Sequence, residues 1–375
     1  MLVETIPYER ICTLGSIDFL ESRFDGMVTR NDVARLAGVS PAVVSYVINN
    51  SNYVSQKKRS AVLKAIEELG YYPNALARSL KSGISNQILL ISDDIRSEMF
   101  SEITFYMEHI ANESGYSLTI SSYTQENALY TLNSLNGRQY AGAFIFSALI
   151  PLDSRYIQTL NRLADDGIPT VLFKFAKTEH DLNPKITQIR PNIREAVCNA
   201  VDYLFDEKKH KIVAYLGDGN PEETHEQGYG DGFRVNGYQD SLRKHNIDPQ
   251  RKYIFFLDAF KYENRRYLNV EGTMHAYFAM KPDERPTAFY VNSDTMAAEL
   301  VKSFQHHGIS VPQEIEIIGF GNTRSASLIT PELTTIEVPC KDIGESAIRL
   351  LLNKISGVET EDKYFKLNLI KRESA

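Results

Sequence analysis

The first regular pattern of apolar and polar positions lies in residues 28–73, where apolar residues recur at the spacing of short amphipathic helices. Three helices are predicted there, over residues 30–37, 41–49 and 55–69. Their apolar stripes are expected to meet in one small core. The second helix contributes Val44, Val47 and Ile48 to that core, and the third contributes Val62, Ala65, Ile66 and Leu69.

Local signals place the ends of these helices. Thr29 precedes the first helix and Ser40 precedes the second, and both residue types are favoured N-caps. Pro41 stands at the first helical position, where proline is tolerated. Gly38 suits the positive φ of a tight turn between the two helices. Ser55 is predicted to cap the third helix. A helix, a tight turn and a second helix form a helix-turn-helix, whose second helix can lie in the major groove of DNA.

Several side chains of this segment are candidates for DNA contacts: Thr29, Ser40, Pro41, Ala42, Ser45, Tyr46 and Asn49. Pro41 and Ala42 are short and apolar, so they suit thymine methyl groups better than hydrogen bonding. Lys57, Lys58 and Arg59 crowd the first turn of the third helix, where positive charge opposes the helix dipole. Contact with phosphates would offset that cost. A solvated charged face is the alternative.

The segment that follows, residues 74–82, is predicted to form a short helix capped by Asn74. An isolated helix of this length is unstable in water. We therefore expect it to become ordered only when DNA and a second copy of the chain hold it. A plain interdomain linker is the alternative.

From residue 87 onward, short apolar runs alternate with amphipathic stretches. Strands are predicted at residues 87–92, 117–122, 141–147, 170–175, 212–216, 253–257, 288–291 and 315–319. Helices are predicted at residues 98–114, 125–136, 154–166, 192–205, 226–245, 294–307 and 341–355, with another before Met280. This βαβ order implies parallel sheets covered on both faces. Two such sets in succession suggest two doubly wound halves of the periplasmic-binding-protein type-1 fold, with ligand bound at the carboxyl ends of the strands.

Composition adds three constraints. A chain of 375 residues is too long for one compact core, so two or three domains are expected. Residues 28–82 contain eight Lys or Arg against three Asp or Glu, although the whole chain has a net charge of −7. The basic excess indicates that this segment is the part that meets a polyanion. The alternative is a chance excess. The three cysteines, Cys12, Cys198 and Cys340, follow no disulfide or zinc spacing, which favours a reducing cytoplasm.

The N-terminal part of the pattern closely resembles the DNA-binding headpiece of the LacI/GalR family of bacterial transcription regulators. Residues 32–40 (DVARLAGVS), Val44-Ser45 and residues 66–80 (IEELGYYPNALARSL) carry the resemblance, which extends over residues 28–83. It implies that Leu80 is a wedge that opens the minor groove at the operator centre. It also implies that the groove is lined by Ala77, Arg78 and Lys81, and the helix cap Asn74 is a further candidate for DNA contact.

One departure from the family concerns Tyr46, which stands where family members usually have an arginine. Arginine can bind guanine through two hydrogen bonds and tyrosine cannot. We therefore expect the half-site preference to differ from the commonest operator of the family.

The body of the chain resembles the family's effector domain at four landmarks: Gly237-Tyr238 and residues 289–297, 318–320 and 330–336. Arg234 stands where the family places an arginine that binds the effector, and a surface arginine is the alternative. The candidate effector residues at predicted strand ends and helix starts are Asp94, Ser97, Phe100, Ser147, Lys174, Ser293 and Asp294, and Arg234, within the predicted helix at 226–245, is the other candidate. Phe100 could stack on a sugar face or belong to the core, and Asp294 is expected first as a helix cap.

Two residues of the predicted cleft depart from the family. Gly321 stands where many members carry an aspartate, and Lys174 stands where sugar-binding members often carry an acid. A cation in place of an anion favours a phosphorylated or carboxylated effector, or no effector.

No motif for catalysis is recognised in the sequence. Residues 228–232 (GYGDG) are glycine-rich but do not form a dinucleotide fingerprint, and His306-His307 lacks a carboxylate at metal spacing. No cofactor or metal is expected, no membrane segment or secretory signal is recognised, and an enzyme is not predicted.

The sequence predicts a cytoplasmic, dimeric, sequence-specific DNA-binding regulator, a repressor controlled by a sugar or sugar phosphate. The alternatives are control by a protein corepressor and, from another class, a solute-binding protein. The fold class is an N-terminal all-α helix-turn-helix headpiece plus an α/β effector domain of two doubly wound subdomains. The predicted layout is a disordered or non-native extension (1–27), the headpiece (28–73), a hinge helix and linker (74–85) and the effector and dimerisation domain (86–375).

Overall fold

The computed structural model describes residues 28–48, 53–71, 85–92, 94–122, 140–147, 154–174, 182–218, 232–262 and 265–375. The chain divides into two compact units, Met1–Ser82 and Gly83–Ala375. The division falls within the predicted hinge and linker, residues 74–85. Each unit is described by itself.

The first unit contains α1 (Arg30–Ala37), α2 (Pro41–Ile48) and α3 (Gln56–Leu69). Thr29 caps α1 as predicted, because its hydroxyl accepts the Asp32 N–H and the Asp32 carboxylate accepts the Thr29 N–H at 2.9 Å. Gly38 ends α1 with φ of 63°, the left-handed conformation that the turn was expected to need.

A single small core holds these helices together. Its buried residues include Val44 and Val47 of α2 and Val62 and Ala65 of α3, so the predicted stripes are confirmed. The partly buried members of the stripes, Ile48, Ile66 and Leu69, pack against this core. Ser55 occupies the predicted N-cap position of α3, but its side chain makes no cap hydrogen bond. The Ser55 carbonyl instead accepts the Arg59 N–H at 3.0 Å, so backbone bonding begins the helix.

The second unit alternates strands and helices. Its strands are β1 (Gln87–Ser92), β2 (Ser117–Ser122), β3 (Gly142–Ser147), β4 (Thr170–Lys174), β5 (Thr187–Pro191), β6 (Val213–Asp218), β7 (Ile254–Tyr262), β8 (Arg265–Asn269), β9 (Ala288–Val291), β10 (Glu316–Gly321), β11 (Thr334–Glu337), β12 (Lys363–Phe365) and β13 (Asn368–Ile370). Its helices are α4 (Glu98–Glu113), α5 (Ser154–Asp165), α6 (Ile193–Asp206), α7 (Gly232–Lys244), α8 (Glu271–Ala279), α9 (Asp294–His306) and α10 (Cys340–Ile355). The predicted helix at 125–136 lies outside the described residues, as does the start of the one predicted at 226–245.

Two sheets organise these elements. The first has the order β12-β5-β4-β3-β1-β2 and the second β13-β11-β10-β9-β6-β7-β8. The described pairs of the first sheet are parallel. In the second sheet, the edge strands β8 and β13 pair antiparallel. All five residues of β4 are buried, as expected for a parallel strand covered on both faces.

The chain crosses between the two sheets after β5, after β11 and after β12. Helix α10 follows β11 of the second sheet but packs against α4 and against β3 and β4 of the first. Both subdomains are therefore built from separated parts of the chain. None of the described helices is long and apolar enough to cross a membrane.

Helices α6 and α7 pack closely at Gly237. A Cβ atom at this position would collide with the carbonyl oxygen of Arg194 and would lie 2.9 Å from Cβ of Val197. The glycine therefore allows the two helices to approach at backbone distance.

Candidate functional sites: a nucleic-acid interface and a ligand cleft

The outer face of α2 is free of the headpiece core. Pro41, Ala42 and Tyr46 are exposed, and Tyr46 exposes 50% of its surface, whereas Val44 and Val47 are buried on the opposite side. The helix thus presents short apolar groups and one phenol to its surroundings. This surface suits close approach to base edges because its side chains are short apart from Tyr46.

A basic flank accompanies this face. Lys57 and Lys58 are exposed at the start of α3, Arg59 is half-buried, and the first turn contains no acidic residue. Three cations at a helix N-terminus oppose the helix dipole. Phosphates of a nucleic acid would offset that repulsion.

The remaining DNA candidates divide into two groups. Ser40 is exposed beside α2, Ser45 is half-buried, and the Thr29 hydroxyl lies 2.6 Å from the Asp32 carboxylate within the cap of α1. The others lie outside the described residues: Asn49, Asn74, Ala77, Arg78, Leu80 and Lys81.

The start of α4 holds three of the predicted effector residues, and all three have structural contacts. Asp94 accepts two hydrogen bonds from the Arg96 guanidinium, at 2.9 and 3.1 Å. Ser97 caps α4 by accepting the Phe100 N–H at 3.4 Å. The Phe100 ring is buried edge-on against Phe146, with 5.4 Å between ring centroids. The structure therefore gives Phe100 the core position that the sequence left as an alternative, and no exposed face for stacking.

The carboxyl end of β4 holds Lys174, whose residue is only 5% exposed. Lys174 pairs in register with Ser147, the last residue of β3. Burial, and secondly the positive charge of Arg190, lower the pKa of Lys174 to about 8. Arg190 was not identified from the sequence. The signal that locates it is the register of β5, where Ile189 pairs with Phe173 and Arg190 follows beside Lys174.

Asp294 is buried at the start of α9 and is not the helix cap. Ser293 is the cap and accepts the Met296 N–H at 3.3 Å, so the predicted cap was misplaced by one residue. The Asp294 carboxylate instead accepts the Thr323 N–H at 2.7 Å and the Thr335 hydroxyl at 2.5 Å. It thereby ties the loop after β10 to β11. Burial raises the pKa of Asp294.

This position of Asp294 explains the glycine at 321. Gly321 has φ of 128°, a conformation that favours glycine, and an added Cβ would lie 3.3 Å from Asp294 Oδ2 and 3.0 Å from Thr323 Cγ2. An aspartate here would be strained and would bring a second carboxylate against Asp294. A side chain at position 321 would therefore be strained in this structure.

Arg234 lies in α7 and is 7% exposed, which excludes the surface-arginine alternative. Its guanidinium carbon lies 4.5 Å from the ring centroid of Phe320, near the carboxyl end of β10. A buried cation therefore lies over an aromatic ring near the end of the second sheet.

A cavity of about 810 Å³ lies between the start of α4, the carboxyl ends of β10 and β11, and the start of α10. Residues that line it include Arg96, Met99, Gly321, Thr323, Glu337 and Cys340. Arg96 and Met99 directly precede the predicted effector residues Ser97 and Phe100 in the sequence, and Thr323 is hydrogen-bonded to Asp294. Cys340 was not among those predictions, and burial raises the pKa of its thiol to about 12. Within the described part of the chain, no group of three His, Cys, Asp or Glu side chains is placed to hold a metal ion.

Comparison with known proteins identifies the family. Residues 29–74 match the family model described as bacterial regulatory proteins, lacI family, and residues 201–375 match the periplasmic binding protein-like domain. Catabolite control protein A of Priestia megaterium is 32% identical over 337 residues, which cover 89% of this chain and 94% of the relative. The chain belongs to the LacI family.

Other LacI-family members agree with this assignment. The HTH-type transcriptional repressor PurR of Pectobacterium atrosepticum is 30% identical, over 93% of this chain and 97% of its own. The crystal structure of the lac repressor dimer bound to operator and the anti-inducer ONPF has a TM-score of 0.76 and 24% identity, over 93% of this chain and 99% of that one. That likeness shows the fold.

The predicted fold class is therefore confirmed: a helical LacI headpiece precedes two parallel α/β subdomains of the periplasmic-binding-protein type-1 kind. The protein is a DNA-binding transcriptional regulator of a family that is not enzymatic.

Proposed function

We propose that this LacI-family regulator is a cytoplasmic repressor that binds a pseudo-palindromic operator as a homodimer. Residues 28–73 form the headpiece, residues 74–85 the hinge and residues 86–375 the effector and dimerisation domain. A sugar or sugar phosphate, bound between the two α/β subdomains, controls operator affinity. The observation that carries the proposal is the exposed outer face of α2, with Tyr46 half exposed outside a closed headpiece core.

The proposed DNA contacts follow from that face and its neighbours. Pro41, Ala42, Ser45 and Tyr46 meet base edges, and the start of α3 meets phosphates. Thr29 and Ser40 lie at the starts of α1 and α2, where they are proposed to contact the DNA backbone. Asn49 extends the contact of α2, and the hinge adds Asn74, Ala77, Arg78, Leu80 and Lys81, with Leu80 as the minor-groove wedge.

Exposed apolar side chains of the second unit support a homodimer. Phe105 on α4 is 67% exposed, and Ile120 on the edge strand β2 is 50% exposed. Helix α4 packs beside β2, so the two side chains belong to neighbouring elements of one subdomain. Leu328, after β10 in the other subdomain, is 69% exposed. We infer that a second copy of the chain covers these apolar residues.

The effector cleft lies at the carboxyl ends of the two sheets. Lys174 and Arg234 are buried cations that support this location, and we infer that Asp94, Ser97, Ser147, Ser293 and Asp294, at strand ends and helix starts, complete the cleft. Phe100 is buried beneath the proposed cleft, where its ring packs against Phe146. Effector binding changes the relative position of the subdomains and so the pairing of the two hinges. A coupling free energy of about 1–3 kcal/mol would change operator affinity several-fold to more than a hundredfold.

Selection of binding sites from a random DNA pool tests the proposal. The full-length protein is expected to enrich an inverted repeat, because a two-fold symmetric dimer contacts two half-sites. A variant with Val44→Asp, whose α2 cannot pack, is the control and should enrich nothing. Failure of the wild-type protein to enrich any sequence would contradict the proposed function.

A further inference from the structure

Two lysines at opposite edges of the first sheet differ in how their charges are satisfied. Lys174 ends β4 at the carboxyl edge, whereas Lys354 of α10 lies by the start of β5 at the amino edge. The Lys354 ammonium donates to the Lys185 carbonyl at 2.5 Å and to the Thr187 hydroxyl at 3.1 Å. Within the part of the chain that the structure describes, the Lys174 side chain makes no hydrogen bond or ion pair. Lys174 therefore carries a buried charge that its described neighbours leave unbalanced.

The neighbours of Lys174 increase this imbalance. Lys174 follows Leu172 by two positions on β4, and Arg190 follows Gln188 by two positions on β5, where Leu172 and Gln188 pair in register. Because side chains alternate across a strand, Lys174 and Arg190 share one face of the sheet. Arg190 adds positive charge near Lys174 and has partners of its own: its Nη2 lies 3.3 Å from the Asp362 carboxylate, and its Nε donates to Gln188 at 3.0 Å.

Ser147 occupies the corresponding position on β3. It pairs in register with Lys174, so three successive strand ends carry a serine, a lysine and an arginine. The carboxyl edge of a parallel sheet is the place where such folds bind ligands. Lys174 brings an ammonium group to this edge and Arg190 a guanidinium group, and both are donors that suit anionic oxygens.

We propose that Lys174 and Arg190, beside Ser147, form an anion-binding subsite that takes the phosphate or carboxylate group of a sugar-derived effector. The inference rests on the proposed effector cleft and names the chemical class of its ligand. The ligand's negative charge balances Lys174, and Asp362 holds the Arg190 guanidinium at the same edge. In the absence of ligand, Lys174 is a cost to the folded state, as buried unbalanced charges are.

Thermal unfolding of the full-length protein tests this subsite. The probes are inorganic phosphate, glucose 6-phosphate, glucuronate and glucose, each at the same ionic strength set with sodium chloride. The two sugar anions and phosphate are expected to raise the unfolding temperature of the second unit, and glucose is not. Glucose 6-phosphate and glucuronate separate the two possible sources of the negative charge.

Three variants test whether the Lys174 ammonium is the group that binds the anions. Lys174→Met should weaken glucose 6-phosphate binding, measured by calorimetry, about tenfold to a hundredfold, because a charged hydrogen-bond donor is lost. It should also raise the unfolding temperature in phosphate-free buffer, because an unbalanced buried charge is removed. Lys174→Arg keeps the charge and should retain binding. Lys354→Met is the matched control at the opposite edge and should retain the wild-type response.

Each outcome of these measurements either supports or overturns the anion-binding subsite. The inference is supported if the wild-type protein and the Lys354→Met variant respond to the anions and the Lys174→Met variant does not. It is overturned if Lys174→Met responds as the wild type does, if no anion affects the second unit, or if glucose binds as tightly as glucose 6-phosphate. Operator binding by the wild-type protein without ligand judges the proposed function separately, since that measurement does not involve the subsite.

Discussion

The headpiece and the α/β unit differ in how their cores determine the surface that is proposed to bind a partner. The headpiece has one small core, and its outer α2 face follows from which residues that core buries. The α/β unit has larger cores, and its candidate ligand groups stand where strands end and helices begin. In the headpiece, fold and contact surface are fixed by the same periodicity. In the α/β unit, the fold is fixed by the apolar strands, while under the proposed function single residues such as Lys174 decide which ligand binds.

The largest effect is expected from a substitution in the headpiece core, which tests whether the headpiece folds independently of the α/β unit. Val44→Asp places a carboxylate in a core that has few other apolar residues to compensate. Operator binding should be lost completely, while the thermal transition of the α/β unit stays unchanged. Fluorescence anisotropy with operator DNA and calorimetry measure the two outcomes. Leu36→Asp, at an exposed position of α1, is the control and should retain the headpiece fold. Joint loss of both transitions would contradict the separation of the two units.

The second prediction concerns the stability of the α/β unit and the substitution Gly237→Ala. Glycine to alanine within a helix usually stabilises it by up to about 1 kcal/mol. Gly237→Ala should instead destabilise this unit by about 1–3 kcal/mol, because the new methyl collides with the Arg194 carbonyl across the α6–α7 contact. Chemical denaturation measures the free energy of unfolding. A stabilised protein would show that the close approach of the two helices is not required.

A third change concerns specificity alone. Tyr46 is half exposed and outside the core, so Tyr46→Arg should leave headpiece stability unchanged. The arginine fork should add a preference for guanine at one position of each half-site, with about 1–3 kcal/mol of discrimination. Repeated selection from random DNA, compared with the wild-type result, gives the measurement. An identical enriched sequence would remove Tyr46 from the contact surface.

The sequence patterns predicted the headpiece well for a physical reason. Val44, Val62 and their neighbours are spaced by the geometry of a helix, and the turn at Gly38 needs a left-handed residue. The positions of most strands along the α/β unit follow in the same way from buried apolar runs, but the order of the strands within the two sheets does not. Contacts between distant residues are not encoded by local spacing. The links from Asp294 to Thr323 and Thr335, and the position of Arg190 beside Lys174, depend on sheet register and so appeared only in the structure.

The smallest expected effect is a pH dependence. The pKa of Lys174 is lowered to about 8, first by burial and then by Arg190, so anion binding needs a proton that is lost as pH rises through that value. Affinity for glucose 6-phosphate should fall about tenfold between pH 7 and pH 9, where the phosphate is already a dianion. Lys174→Arg should flatten this profile because arginine stays protonated. Calorimetry across the range gives the result, and a flat wild-type profile would contradict the role of Lys174.

Operator binding measured with and without ligand tests the link between the two units most directly. The wild-type protein is titrated into its selected operator at pH 7, alone, with glucose 6-phosphate and with glucose. A regulator with an anion subsite should change its operator affinity by a factor of roughly 5–150 with glucose 6-phosphate, and should show no change with glucose. Equal affinity in all three titrations, or a response to glucose instead, would contradict the account.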